Sequence, residues 1–203
     1  MTAHPLDSLT ADEINKAVDL YRAYDVSDEN TLFINVTLVE PSKESVRSYK
    51  EGEEFDRSVK IVGVDSNPDG GFVASIDLKK EQVTALERIP NEAQSAYSFA
   101  EVGLATLLTK QSKEYQDALK KRDITNLDLV QIDPWPAGGV VHESIKPGHR
   151  AMKTISFLKE NETDNAYAKP IQGVISHVDL TLKEVTCVED FGVVPVPKAH
   201  ARY

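Results

Sequence analysis

The stretch "ASIDLKKEQVTALERI" (Ala74 to Ile89) returns later in the chain as "SHVDLTLKEVTCVEDF" (Ser176 to Phe191). The two align without gaps. Asp77 meets Asp179, Leu78 meets Leu180, Val83 meets Val185, Thr84 meets Thr186 and Glu87 meets Glu189. Each copy holds an alternating apolar run, a polar turn and a second alternating run, the pattern of a hairpin with one buried face. The offset is about half of the 203-residue chain, so the pair points to a doubled module.

The order of elements around each copy agrees with doubling. Thr10-x-x-Glu13 is a capping box ahead of Ile14, Ala17, Val18 and Tyr21, which recur at helical spacing. "LFINVTLV" alternates as a strand, and "PSKESVRSY" reads as a short helix opened by Pro41. "RSVKIVGVD" and "GFVASIDL" are strands joined by the turn-rich "SNPDGG", and "QVTALERI" closes the half. The second half repeats this order. Ser98-x-x-Glu101 caps an apolar helix, and "SKEYQDALKKR" continues it as a second helix or after a kink. Strands follow in "LDLVQIDPW", "RAMKTISFLKE", "KPIQGVISHVDL" and "EVTCVEDF". The expected class is α+β: two tandem related domains, each a helix packed on a roughly four-stranded antiparallel sheet, as in cystatin-like folds. Expected boundaries are 1–95 and 96–192, with 193–203 an extended tail. Pro195 and Pro197 stiffen that tail, which follows a β-like run from Phe191 to Val194.

Composition bounds the function. A net charge of −10 argues against a nucleic-acid binder, which needs a basic face. No apolar run reaches the length of a membrane span. The polar, acidic first residues lack the pattern of a signal peptide, so a cytoplasmic location is expected. Cys187 is the single cysteine and reads as a small buried hydrophobe. The five histidines show no H-x-H or i, i+4 metal spacing, and the expectation is no metal site. His142 and His149 flank a Gly/Pro loop and read as solvated, and His177 reads as a half-buried strand residue. No Walker A, G-x-S-x-G or G-x-G-x-x-G motif occurs. Trp135, between Pro134 and Pro136, reads as a loop residue, folded on the core or presented at an interface or channel.

"HPLDSLTADEI" (His4 to Ile14), "IDPWPAGG" (Ile132 to Gly139) and "KPIQGVISHVDLTLKEVTCVEDFGVVPVP" (Lys169 to Pro197) together resemble the N-terminal portion of copper-containing amine oxidases. The resemblance implies the second and third domains of that family, which precede a β-sandwich catalytic domain. In the family, topaquinone is made from a tyrosine in Asn-Tyr-Asp/Glu, and copper is held by an H-x-H pair and a distant histidine. Neither pattern occurs in this sequence: Tyr24 and Tyr167 both follow alanine. The implied role is therefore a non-catalytic subunit or fragment of a tyramine-oxidase-like primary-amine oxidase. No catalytic residue and no cofactor is expected in this chain; copper, topaquinone and the catalytic base are expected in a separately encoded catalytic polypeptide. The resemblance further implies that Phe99, Trp135 and Tyr167 line part of a substrate channel, where aromatic walls suit an aryl-alkyl amine. Val193, Val194, Val196 and Tyr203 form the expected partner-docking tail, adding a strand to a partner's sheet. The alternative is a stand-alone binding or scaffold module, alone or as a homodimer, that kept the fold without the oxidase.

Overall fold

The computed structural model describes residues 4–24, 28, 30–65, 70–90 and 93–196. The chain divides into two compact units, Met1–Ala96 and Tyr97–Tyr203.

In the first unit, α1 (Ala11–Arg22) starts at a complete capping box: the Thr10 hydroxyl accepts from the Glu13 backbone, and Glu13 accepts from the Thr10 backbone. β1 (Leu32–Val39), β2 (Ser58–Val64), β3 (Gly71–Asp77) and β4 (Gln82–Ile89) form an antiparallel meander in sequence order. The short α2 (Lys43–Ser48) lies between β1 and β2; Ser42, not Pro41, is its cap. One face of α1 buries Ala17 and Tyr21 against Val59, Ile61, Phe72, Ala74 and Ile76. The Tyr21 ring stacks on Phe72 with centroids 4.4 Å apart and meets Phe33 edge-on. Burial pushes the Tyr21 phenol up to about 12.

The second unit repeats the plan with one helix more. Ser98 and Glu101 make the capping box of α3 (Phe99–Gln111). The serine at 112 both ends α3 and caps α4 (Lys113–Lys120), which gives the kink a local cause. β5 (Val130–Pro136), β6 (Ala151–Leu158), β7 (Pro170–Asp179) and β8 (Glu184–Asp190) again run in sequence order. Val130, Ile132, Met152, Thr154, Ser156, Val174 and Val178 are buried on the face that α3 and α4 cover. Two polar contacts cross that core: Tyr115 Oη lies 2.7 Å from Ser156 Oγ, and Thr109 bonds Thr154.

The repeat reaches into the backbone. Glu81 and Lys183, each in the turn after the repeated Asp-Leu, hold φ of 54° and 59°. Leu78 N–H donates to the Arg57 carbonyl as Leu180 N–H donates to that of Arg150. Both of those arginines reach back to the capping-box glutamate of their unit. Arg57 Nε lies 2.5 Å from Glu13, and Arg150 Nε lies 2.5 Å from Glu101. Each sheet is thus bolted to the N-terminus of its helix by the same ion pair.

Two sequence expectations change. Trp135 is in a strand rather than a loop. β5 is the edge of its sheet, where prolines on either side are tolerated because an edge leaves one side of the backbone unpaired. The β-like run expected over Phe191 to Val194 is not a strand: β8 ends at Asp190, and Phe191 to Val196 carry no regular structure. Tyr203 lies outside the described residues.

Candidate functional site

Side chains alternate across β5, so Val130 and Ile132 face the helices while Asp133 and Trp135 share the outer face. Trp135 is 54% exposed. A 3-10 turn at Ala166–Ala168, capped by Asn165, places Tyr167 beside the same face. Tyr167 Oη donates to Asp133 at 3.1 Å, and its ring meets Phe157 edge-on at 4.9 Å. That carboxylate raises the Tyr167 phenol above its ordinary value. Tyr167 is 58% exposed. Trp135 and Tyr167 therefore stand on one exposed, partly aromatic surface, with Asp133 bonded to Tyr167 and two residues before Trp135 on the same face of β5. An aromatic wall with a carboxylate is suited to an aryl-alkyl ammonium ion.

Phe99 is not brought to this surface. It is the first residue of α3, in the layer that covers the opposite face of the sheet, and it is 97% exposed. Its placement is nonetheless rigid. Ser98 caps the helix, Glu101 is buried against Arg150, and the Arg150 guanidinium sits 4.3 Å over the Tyr97 ring.

The residues after β8 are tied down at their start. Arg122, whose side chain is nearly inaccessible, donates to Asp190 at 2.8 Å, to the Gly192 carbonyl at 2.6 Å and to the Gly173 carbonyl at 2.9 Å. Gly173, at φ 78°, lets the chain pass this close: a Cβ there would lie 2.5 Å from the Gly192 oxygen. Arg122 and Lys121 hold the Asp190 carboxyl far below the usual carboxylate range. Val196 packs against the core cluster that includes Tyr115 and Leu119, whereas Phe191, Val193 and Val194 are exposed. The expected tail residues thus divide: Val193 and Val194 face outward, and Val196 is half-buried.

The histidines arrange themselves differently from the loop reading. His149 is not merely solvated; its Nδ1 lies 2.6 Å from the buried Asp179 carboxylate. The loop after β5 carries His142 over the outer face of the sheet, where its ring meets that of His177 at 4.4 Å. Glu189, on the neighbouring strand, is 2.7 Å from His177 Nε2. Cys187 is the cross-strand partner of His177, and burial, reinforced by Glu189, Glu114 and Glu143, pushes its thiol up. No local spacing in the sequence signals the His142–His177 meeting, because a loop and a strand supply one residue each.

Comparison with known proteins now places the chain. The family model "Copper amine oxidase, N2 domain" matches residues 4–86, and "Copper amine oxidase, N3 domain" matches residues 100–203. The chain belongs to the copper amine oxidase family. Its N2 match falls in the first unit and its N3 match in the second. A primary amine oxidase of Arthrobacter sp. (strain P1) is 32% identical over 99% of the chain, and one of Klebsiella aerogenes is 29% identical over 96%. This copper amine oxidase chain spans 30% and 26% of the lengths of those relatives. A crystal structure of a copper-containing benzylamine oxidase from Hansenula polymorpha matches the fold with a TM-score of 0.75. That match is at 15% identity, over 99% of this chain and 33% of the other.

Proposed function

We propose that this chain is the non-catalytic N2–N3 part of a copper- and topaquinone-dependent primary-amine oxidase, acting with a separate catalytic polypeptide. The observation that carries the reading is the pair of family matches, over residues 4–86 and 100–203. The residues of this chain do not fit the family's cofactor centre. The sequence holds no H-x-H and no Asn-Tyr-Asp/Glu. The three-donor group found among the described residues offers two imidazoles and one carboxylate, not three imidazoles.

On this reading, the surface of Trp135, Tyr167 and Asp133 forms part of the wall leading to the partner's active site. Its open aromatic rings and its carboxylate favour a tyramine-like amine. Phe99 contributes from a separate layer of the same unit. Phe191, Val193 and Val194 supply exposed apolar contacts for docking, beside β8, which among the described residues is an edge strand of its sheet. The working location is the cytoplasm; among the described residues no helix is long and apolar enough to cross a membrane. Recovery of the native protein from an exported fraction would contradict that location.

The docking claim is tested by light scattering of the chain mixed with a copper amine oxidase catalytic domain that lacks its own N2 and N3 domains. A complex is expected, and Val193→Asp with Val194→Asp is expected to weaken it. Two separate species at all concentrations would refute the docking claim.

A further inference from the structure

The outer face of the second sheet brings together three metal-binding side chains that neither the docking surface nor the aromatic wall uses. They are His142 on the loop after β5, His177 on β7 and Glu189 on β8. Each offers one donor atom, and the three atoms lie within 4.8 Å of one another. All three side chains are half-buried, so they are partly shielded yet reachable by an ion. We infer that His142, His177 and Glu189 form a binding site for a divalent transition-metal ion of the zinc type, clamping the loop onto the sheet.

The chemistry of the donors selects the ion class. Two imidazoles and one carboxylate suit zinc and its first-row neighbours, whereas calcium and magnesium prefer all-oxygen sites. Around a tetrahedral zinc ion with bonds near 2.0–2.1 Å, donor atoms sit about 3.3 Å apart. The present separations bracket that value: His177 Nε2 and Glu189 are at 2.7 Å in a hydrogen bond, and the widest spacing in the group is below 4.8 Å. An entering ion replaces the hydrogen bond between His177 Nε2 and Glu189: the Nε2 proton leaves to solvent, and His177 binds as a neutral imidazole with its one proton on Nδ1. Water completes the fourth position.

The surroundings already orient the loop ligand. His142 Nδ1 lies 2.8 Å from Ser144 Oγ, and Ser144 Oγ lies 2.8 Å from Thr186 Oγ1 on β8. His142 Nδ1 also accepts from the Ser144 backbone N–H at 3.1 Å, so two contacts from Ser144 hold the ring by its Nδ1 edge, and coordination through Nε2 requires the ring proton to sit on Nδ1. Thr186 is itself held by the His177 carbonyl. The ligand on the loop and the ligand on the strand are therefore tied through one short chain of hydroxyl groups.

The test is calorimetric titration of the tag-free 203-residue chain with Zn2+ at neutral pH. One saturable equivalent is expected. His142→Asn, His177→Asn and Glu189→Gln are each expected to lower the affinity at least about 10–100-fold. His4→Gln, in the first unit, leaves it unchanged. A second readout needs no variant: the imidazole NMR signals of His142 and His177 shift on Zn2+ addition while those of His4 and His149 stay. Absence of saturable binding, retention of full affinity in the three variants, or zinc-induced shifts confined to other histidines would overturn the site.

Discussion

At the residue scale, the clearest case is Arg122. One guanidinium satisfies the Asp190 carboxylate and the carbonyls of Gly173 and Gly192, and Arg122 also donates to the Ala118 carbonyl. Removing it strands the carbonyls and leaves Asp190 with only Lys121 and the Gly192 N–H, so Arg122→Met is expected to lower stability by about 3 kcal/mol. Urea unfolding measures this, and hydrogen exchange should show faster exchange at Phe191, whose N–H bonds the Gly173 carbonyl. The same pair sets an acid sensitivity. Asp190 has a lower pKa folded than unfolded, so its contribution is complete above the unfolded carboxylate value of about 3.9. The contribution is lost as pH falls through the depressed folded value. The stability gap between the unaltered chain and Asp190→Asn should therefore be widest near neutrality and shrink in acid. A gap that widens in acid would contradict this assignment.

At the element scale, the two halves share a device that sequence reading caught only in part. The capping boxes at Thr10/Glu13 and Ser98/Glu101 were legible because they are local, three residues apart. The arginines that lock them were not: Arg57 lies 44 residues from Glu13, and Arg150 lies 49 from Glu101. Nothing in periodicity or turn chemistry pairs residues at such distances. The same reason hid His142 and His177, which meet only because a loop folds over the sheet. Strand alternation and turn composition, in contrast, made the two four-stranded meanders legible. Trp135 was misplaced because two prolines signal a loop unless the strand is known to be an edge. The bolt itself is testable. Arg150→Met leaves Glu101 buried without its ion pair, and it is expected to cost about 3–5 kcal/mol. Ser98→Ala removes only a cap and is expected to cost about 1 kcal/mol. Thermal unfolding of both variants should show that order.

At the scale of the whole molecule, the described residues form one core cluster and one sheet in the first unit and two core clusters and one sheet in the second, and the sequence contains neither the family's copper histidines nor its topaquinone motif. The family matches identify the chain's two units with the N2 and N3 domains of copper amine oxidases. Its expected contribution is surface: an aromatic wall with Asp133, and exposed apolar residues after β8. The most direct measurement is hydrogen peroxide release from tyramine by the purified, copper-treated chain. It is made alone and with a copper amine oxidase catalytic domain lacking N2 and N3. The account predicts no amine-dependent peroxide from the chain alone and a higher rate from the mixture than from the catalytic domain by itself. Peroxide from the chain alone, or a catalytic-domain rate unchanged by its addition, would contradict it.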